Sequence, residues 1–395
     1  MATVEVLRVP PAEASERQLA AEVRVSVVIP CLNEAENIEQ CVSLAYAVLE
    51  EHRIAGEVIV VDNGSEDGSG ELARAAGATV IYEPRRGYGS AYLAGFNAAR
   101  GNYVVMIDAD LTYDFGDIPR FVDALEDGAE LVMGDRMNDI QPGAMPWLNR
   151  YVGNPILSGF LNVLFKTNVR DVHCGMRAFR RDALPRLDLH STGMEFASEM
   201  VIRASKQRLV IREFPIELRP RGGRSKLSPL RDGWRHLRLI LVYSPNFLFL
   251  LPGAIMVALG ALITLTVFAQ ISVFGRQWFV HALIGGSLLV IVGIQVIGLG
   301  LCGRAFGVHF MGERDPWFQR MEARFRLEHG LLLGTALVLG GLAVGGLVIG
   351  TWIARGLGTL SETRLAIVAA TSTIAGMQVF FTSFLLSILG LRRRS

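Results

Sequence analysis

The sequence predicts an α/β domain with a doubly wound, mainly parallel sheet, followed by a four-helix transmembrane domain. Three observations predict it. Short β-branched runs alternate with helix-length stretches from Arg24 to Gly134, and such alternation builds parallel sheets. The runs end in polar turns at Pro30–Glu34, Asp62–Ser65, Asp108–Thr112 and Asp135-Arg136. After residue 246 the apolar excess of a chain that is 51% hydrophobic gathers into long uncharged stretches. A formal net charge of +1 gives no general polyanion-binding character, so nucleic acid is not an expected partner.

Residues 1–22 are polar, with Pro10-Pro11 and no apolar core, and read as a flexible N-terminal tail rather than a signal peptide. The catalytic-type domain is expected over 23–227. Val25–Ile29 is a first strand stopped by Pro30, and Asn33-Glu34 opens a helical stretch to about Glu51. Glu57–Val61 is a second strand, Thr79–Tyr82 a third after helical residues 70–76, and helix 88–100 follows. Tyr103–Ile107 is a continuous apolar run suited to a strand buried on both faces. Helix 117–127 then leads to a fifth strand, Glu130–Gly134, and helix 193–207 lies further on.

Chemistry gathers at the strand ends. Ligands of open α/β sheets bind outside the carboxyl ends of the strands, which is where Asp108-Ala109-Asp110 stands. On extended backbone, positions i and i+2 point the same way, so both carboxylates reach one cation. Two carboxylates plus phosphate oxygens is a common way to hold Mg²⁺; an Asp-rich turn is the plain alternative. Asp62-Asn63-Gly64-Ser65 reads either as a capped turn or as a ligand-facing one. Gly87-Tyr88-Gly89 lacks the third glycine of a dinucleotide fingerprint. Its glycines suit a close backbone approach to phosphates at a helix N-terminus. The four cysteines, Cys31, Cys41, Cys174 and Cys302, have no metal-binding spacing and read as reduced thiols. Lysine occurs only at Lys166, Lys206 and Lys226, and the prevailing arginine suits phosphate groups.

These segments carry a resemblance. Val27-Val28-Ile29-Pro30-Cys31-Leu32-Asn33-Glu34, Val61-Asp62-Asn63-Gly64-Ser65, Arg86-Gly87-Tyr88-Gly89, Asp108-Ala109-Asp110-Leu111 and Arg219-Pro220-Arg221-Gly222-Gly223-Arg224-Ser225-Lys226 occur in order. The ordered set, covering about residues 23–245, resembles the family 2 inverting glycosyltransferases. Within them it is similar to the polyprenyl-phosphate (dolichyl-phosphate) mannose and glucose synthases. The resemblance implies a GT-A-like fold and transfer of a monosaccharide from a nucleotide sugar to polyprenyl phosphate. It assigns Pro30, Asn33, Glu34, Asp62, Gly64, Arg86, Gly87, Asp108 and Lys226 to the nucleotide sugar. Asp108 and Asp110 would hold Mg²⁺ or Mn²⁺, and Asp110 and Arg136 would be catalytic. Arg136, Arg150, Asn154 and Ser225 would bind the lipid phosphate, with Asn154 standing where the pattern has Ser. Thr112 stands where some relatives carry Gln. The donor is expected to be a UDP-hexose such as UDP-glucose, or GDP-mannose.

A lipid phosphate with a second pKa of about 6, like phosphoserine, is already a largely dianionic nucleophile. A sugar hydroxyl would need a general base. Glu195 and Glu199, four apart on their helix, are the candidates for it, with an ordinary helix face as the alternative. Transfer to a glycolipid hydroxyl is therefore the second reading. A non-catalytic scaffold or lipid-sugar flippase is the third. His173-Cys174 lacks a second pair and reads as core or site lining.

Ser228–Asn246 reads as an amphipathic interfacial helix. Trp147–Phe165, broken by Gly153 and Pro155, either touches the bilayer or is a core helix. Spans are expected at about 247–269, 280–302, 331–354 and 365–391, without charges in their central parts. Arg304, Arg314, Arg320, Arg324 and Arg326 in the 303–330 loop, and Arg392 to Arg394 in the 392–395 tail, mark the cytoplasmic side. The catalytic domain and C-terminus are then cytoplasmic. Gly340-Gly341 and Gly345-Gly346 point to close helix packing, within the chain or in a homo-oligomer.

Overall fold

The computed structural model describes residues 23–222, 229–273, 276–277, 279–310, 315–325, 327–357 and 362–390. The expected tail 1–22, Ser225, Lys226, Arg314, Arg326 and Arg392 to Arg394 lie outside them. By contacts the chain forms two compact units, Met1–Ile240 and Leu241–Ser395.

In the first unit a seven-stranded sheet has the order β3-β2-β1-β4-β6-β5-β7. Its strands are β1 (Val25–Cys31), β2 (Gly56–Asp62), β3 (Thr79–Tyr82), β4 (Tyr103–Met106), β5 (Leu131–Asp135), β6 (Arg177–Arg180) and β7 (Ile211–Pro215). All are parallel to their neighbours except β6, which runs antiparallel to both β4 and β5. The expected fold class holds. Two strands were not foreseen: β6 is only four residues, and β7 alternates with charged positions, so neither carries a buried-strand signature.

Pro30 does not stop the first strand, which pairs through Cys31 with β2. The following helix starts later than expected. Asn33 adopts a left-handed φ of 50°, and α1 is Ile38–Glu51. The other helices of this unit are α2 (Ser69–Ala75), α3 (Tyr88–Ala98), α4 (Ile118–Glu126), α5 (Asn154–Phe165), α6 (Leu184–Leu187), α7 (Phe196–Lys206) and α8 (Pro229–Val242). The strands' alternation decides which face each helix covers. Val25, Val27 and Ile29 face α1 and α4 and bury with Ile38, Val42, Phe121 and Leu125. Val28 points to the opposite face against α3, so closely that a Cβ on Gly95 would overlap it. Each such buried Val, Ile, Leu or Phe side chain contributes about 1.5–3 kcal/mol.

Of the two readings of Trp147–Phe165, the core helix is not what is observed. A π-helical turn, Asn149–Gly153, precedes α5, and only Ser158 and Leu161 of α5 are buried. Trp147, Leu148, Tyr151, Ile156, Phe160 and Val163 are exposed.

The second unit contains four helices long and apolar enough to cross a membrane, over Asn246–Phe268, Val280–Phe310, Leu327–Ala354 and Thr363–Gly390. They are α9 (Leu251–Phe268, led by a π-helical turn), α10 (Val280–Phe310), α12 (Leu327–Ala354) and α13 (Thr363–Gly390), with α11 (Pro316–Arg324) between. Arg304, read as a loop residue, is instead inside α10. Its charge is held there by Asp315 at 2.6 Å and Asn246 at 2.6 Å. Glycines permit the close packing: a Cβ on Gly253 would sit 2.9 Å from the Gly293 carbonyl, and one on Gly341 2.7 Å from that of Ala369. Gly341 thus serves packing within this chain, whereas Gly340 and Gly346 meet nothing within 4 Å.

Candidate active site

Every parallel strand of the first unit points its carboxyl end to one edge. There the first two turns brace each other. The Asn33 and Glu34 amides donate to Ser65 Oγ and Ser69 Oγ, each at 2.9 Å, and Asn33 Oδ1 accepts from the Glu66 amide at 2.8 Å. Asp62 Oδ1 accepts from the Ser65 amide at 2.8 Å, so the capped-turn reading of this segment is realised. Gly64, at φ +88°, lies under the Arg86 guanidinium, which donates to its carbonyl at 3.2 Å. Asn63, given no role by the sequence, is buried and joins these turns to the next. It donates to the carbonyls of Glu83 and Arg85 and accepts from the Gly87 amide at 2.7 Å.

Gly87 needs its positive φ of 147°. A Cβ there would overlap the Thr192 carbonyl, and one on Gly89 the Ser191 carbonyl. What approaches these glycines in the structure is therefore the chain's own 191–192 loop. Glu199 secures that loop. Its buried Oε2 accepts from the His190 and Ser191 amides at 3.0 and 2.7 Å, which commits it to architecture rather than to proton transfer. Glu195 stands differently, with a buried Oε2 that has no hydrogen-bond partner among the described residues.

Asp108 and Asp110 follow β4. Tyr88 and Tyr92, one turn apart on α3, donate to Asp108 Oδ1 at 3.0 and 3.3 Å. Burial, and next the Asp110 charge, push the Asp108 carboxyl up to about 6. Asp110 Oδ1 accepts from the Thr112 hydroxyl at 2.6 Å, so the residue standing in place of Gln orients the second carboxylate. Its other oxygen lies 3.5 Å from Arg221, whose guanidinium also donates to Glu34 at 2.8 Å. Leu111 takes a left-handed φ of 61°, turning the chain sharply between Asp110 and Thr112.

The antiparallel β6 begins at this edge, so the residues before it arrive beside Asp108. Asp171, fully buried, accepts from Arg136 through both carboxylate oxygens, Oδ2 from Nε at 2.5 Å and Oδ1 from Nη2 at 2.8 Å. The facing charge holds the Asp171 carboxyl below its ordinary value and the Arg136 guanidinium above its own, against the burial that opposes both. Arg136 also donates to the Tyr113 hydroxyl at 3.4 Å, and that hydroxyl accepts from the Gly175 amide at 2.8 Å. Gly175 is tight against Asp108: a Cβ would overlap Oδ2. Arg177, fully buried, donates to the carbonyls of Cys174, Ala197 and Val172. Those three bonds clamp the segment. His173 packs edge-on against His236 of α8 at 4.4 Å, and His236 Nδ1 meets Ser198 Oγ at 2.8 Å. Burial lowers both imidazoles, His236 to about 4, so they are neutral at pH 7.

Comparison with known proteins decides the family. The glycosyl transferase family 2 model matches residues 26–187, and its C-terminal transmembrane region model matches 301–390. The low-salt glycan biosynthesis hexosyltransferase Agl6 of Haloferax volcanii is 42% identical over 368 residues, 93% of this chain and 89% of that protein. The chain belongs to glycosyltransferase family 2. A dolichyl-phosphate hexose transferase of the same organism is 39% identical over 180 residues, 45% of this chain and 76% of that one. Glucosyl-3-phosphoglycerate synthase of Mycobacterium tuberculosis, crystallised with Mn²⁺, UDP-glucose and phosphoglyceric acid, has a TM-score of 0.48 and 24% identity. That match covers 60% of this chain and 86% of the other.

This glycosyltransferase is an integral membrane protein by its four apolar helices and its matched transmembrane region. Its site suits a cation that arrives with a diphosphate. Among the described residues no three His, Cys, Asp or Glu side chains gather as a protein-only cage. Asp108 and Asp110 supply two carboxylates, and Mg²⁺ commonly takes its remaining ligands from water and phosphate. Burial first and the Asp110 charge second raise the Asp108 carboxyl, and a bound cation would offset both. Of the remaining expected residues, Arg150 stacks on Tyr151 at 5.3 Å and Asn154 reaches the Met145 sulfur at 3.7 Å. Among the described residues, neither contact reaches the Asp108 cluster.

Proposed function

We propose that this glycosyltransferase moves a hexose, with inversion, from a nucleotide sugar to a polyprenyl phosphate at the cytoplasmic membrane face. The carrying observation is the Asp108/Asp110 carboxylates near an Arg136 already oriented by Asp171, on a chain that continues into four membrane-length helices. Asp108 and Asp110 would hold Mg²⁺ or Mn²⁺, which offsets charge developing on the departing nucleoside diphosphate. Pro30, Asn33, Glu34, Asp62, Gly64, Arg86, Gly87 and Lys226 receive the nucleotide sugar, a UDP-hexose such as UDP-glucose or GDP-mannose. Arg136 meets the acceptor phosphate, with Arg150, Asn154 and Ser225 as further residues for it. The phosphate brings its own negative charge to the anomeric carbon, so positioning and charge neutralisation suffice. The exposed apolar face of α5 and the amphipathic α8 support acceptor capture at headgroup depth. The names of the two Haloferax volcanii relatives, a hexosyltransferase and a dolichyl-phosphate hexose transferase, support the substrate classes.

A second reading is favoured by one observation, the unpartnered Oε2 of Glu195: transfer to a glycolipid hydroxyl with Glu195 as base. The discriminating experiment incubates detergent-purified protein with Mn²⁺, a short polyprenyl phosphate and a panel of nucleotide sugars. Nucleotide release that depends on the lipid phosphate supports the first reading and names the donor. Release only with a hydroxyl acceptor supports the second.

A further inference from the structure

Asp108 is held in an unusual way. Both hydroxyls that reach it, from Tyr88 at 3.0 Å and Tyr92 at 3.3 Å, donate to the same oxygen, Oδ1. The other oxygen, Oδ2, lies over Gly175, where only the missing Cβ leaves room for it. A carboxylate's terminal torsion is broad and roughly two-fold, so one donor would leave the group free to swing. Two donors fixed on rigid rings remove that freedom.

The rings are themselves fixed. Tyr88 and Tyr92 meet edge-on at 4.9 Å, and Tyr92 stacks on Phe196 at 5.8 Å and leans on Phe96 at 5.7 Å. Tyr92 is fully buried. Residues four apart share a helix face, so the start of α3 delivers both phenols to one point. That start is tied by the Gly87 amide to Asn63, in the turn after β2.

We propose that Tyr88 and Tyr92 are positioning residues that fix the Asp108 side chain through Oδ1 and thereby present Oδ2 to the divalent cation. The inference rests on the metal reading given above. It assigns a task to the tyrosines of the Gly87-Tyr88-Gly89-Ser90-Ala91-Tyr92 segment, whose glycines alone had been given one. It also links the nucleotide side of the site to the metal side through one continuous path, Asn63 to Gly87 to Tyr88 to Asp108.

The test uses full-length protein in detergent with Tyr88→Phe, Tyr92→Phe and the double variant. Phenylalanine keeps the ring packing and removes only the hydroxyls. Mn²⁺ is titrated by electron paramagnetic resonance at pH 8, with UDP and separately with GDP present. Thermal unfolding is measured on the same samples without metal. The double variant is expected to bind Mn²⁺ about tenfold or more weakly, the scale of a hydrogen bond to a charged group. Each single variant should lose less, with unfolding temperatures close to wild type. If the double variant does not fold, a smaller loss of Mn²⁺ affinity in either single variant, with its unfolding temperature kept, decides the matter. Unchanged Mn²⁺ affinity with a lowered unfolding temperature would make the tyrosines merely structural and overturn the proposal. Wild-type protein that binds no Mn²⁺ with either nucleotide would instead overturn the metal reading beneath it.

Discussion

On one side of Asp108 the site consists of turns that directly follow their strands. On the other it consists of segments that reach the edge by chain reversal. Asn33, Asp62 and Asp108 are two residues beyond β1, at the end of β2 and two beyond β4, and their partners are mostly backbone amides or hydroxyls. Asp171 and Gly175 arrive because β6 runs backwards, and Arg221 because β7 adds a parallel strand beside β5. On this second side charge meets charge: Arg136 with Asp171, Arg221 with Asp110 and Glu34. The first side is shape held by hydrogen bonds from amides and hydroxyls, and the second is held by ion pairs whose partners lie far apart in the chain. Damage should therefore appear as lost ligand binding on the first side, and as lost binding together with lost stability on the second.

The comparison can be broken or sharpened by substitution. Asp108→Ala should have the largest effect, a loss of about 10³-fold or more in transfer, since a cation at a departing phosphate supplies several kcal/mol. Near-wild-type turnover with metal present would remove the pair from the mechanism. Gly175→Ala tests whether the second side controls the first, because the new Cβ must displace Asp108 Oδ2. Initial rates should fall roughly 10²-fold, the scale for about an ångström of misplacement. Asp171→Asn should cost both rate and fold. Stranding the nearly buried Arg136 is worth about 3–5 kcal/mol, readable as a lowered denaturation midpoint.

Asp108→Asn separates function from stability. The folded Asp108 carboxyl sits at about 6 against an ordinary 3.8. Folding therefore favours its protonated form, and that stabilisation, complete below about pH 4, is lost as pH rises through 6. Relative to the variant, metal-free wild type should weaken across that window by roughly 1–3 kcal/mol, and unfolding at pH 4, 5, 6 and 7.5 measures it. The smallest effect is expected from Glu195→Gln, which should retain most lipid-dependent transfer. Its loss would strengthen the hydroxyl-acceptor reading.

How much could be read in advance follows the same division. The parallel core strands, the Asp108-Ala109-Asp110 pair and the four membrane-length stretches were legible because each is a local pattern: a β-branched run, a two-residue spacing, about twenty apolar residues. The boundaries at Pro30, Asn33 and Arg304 were not, because pairing with β2, a left-handed turn and an ion pair with Asp315 overrode local preference.

The sequence by itself determined the fold class, the order of its motifs and the two kinds of environment the chain occupies, since periodicity and hydropathy are properties of adjacent residues. Only the tertiary structure decided that Asp171 orients Arg136, that Gly175 makes room for Asp108 and that two tyrosines share one carboxylate oxygen. Those relations depend on the reversed strand β6 and on which face of α3 meets the sheet edge. They are set by distances between residues 16 to 67 positions apart, for which no local spacing stands as a sign.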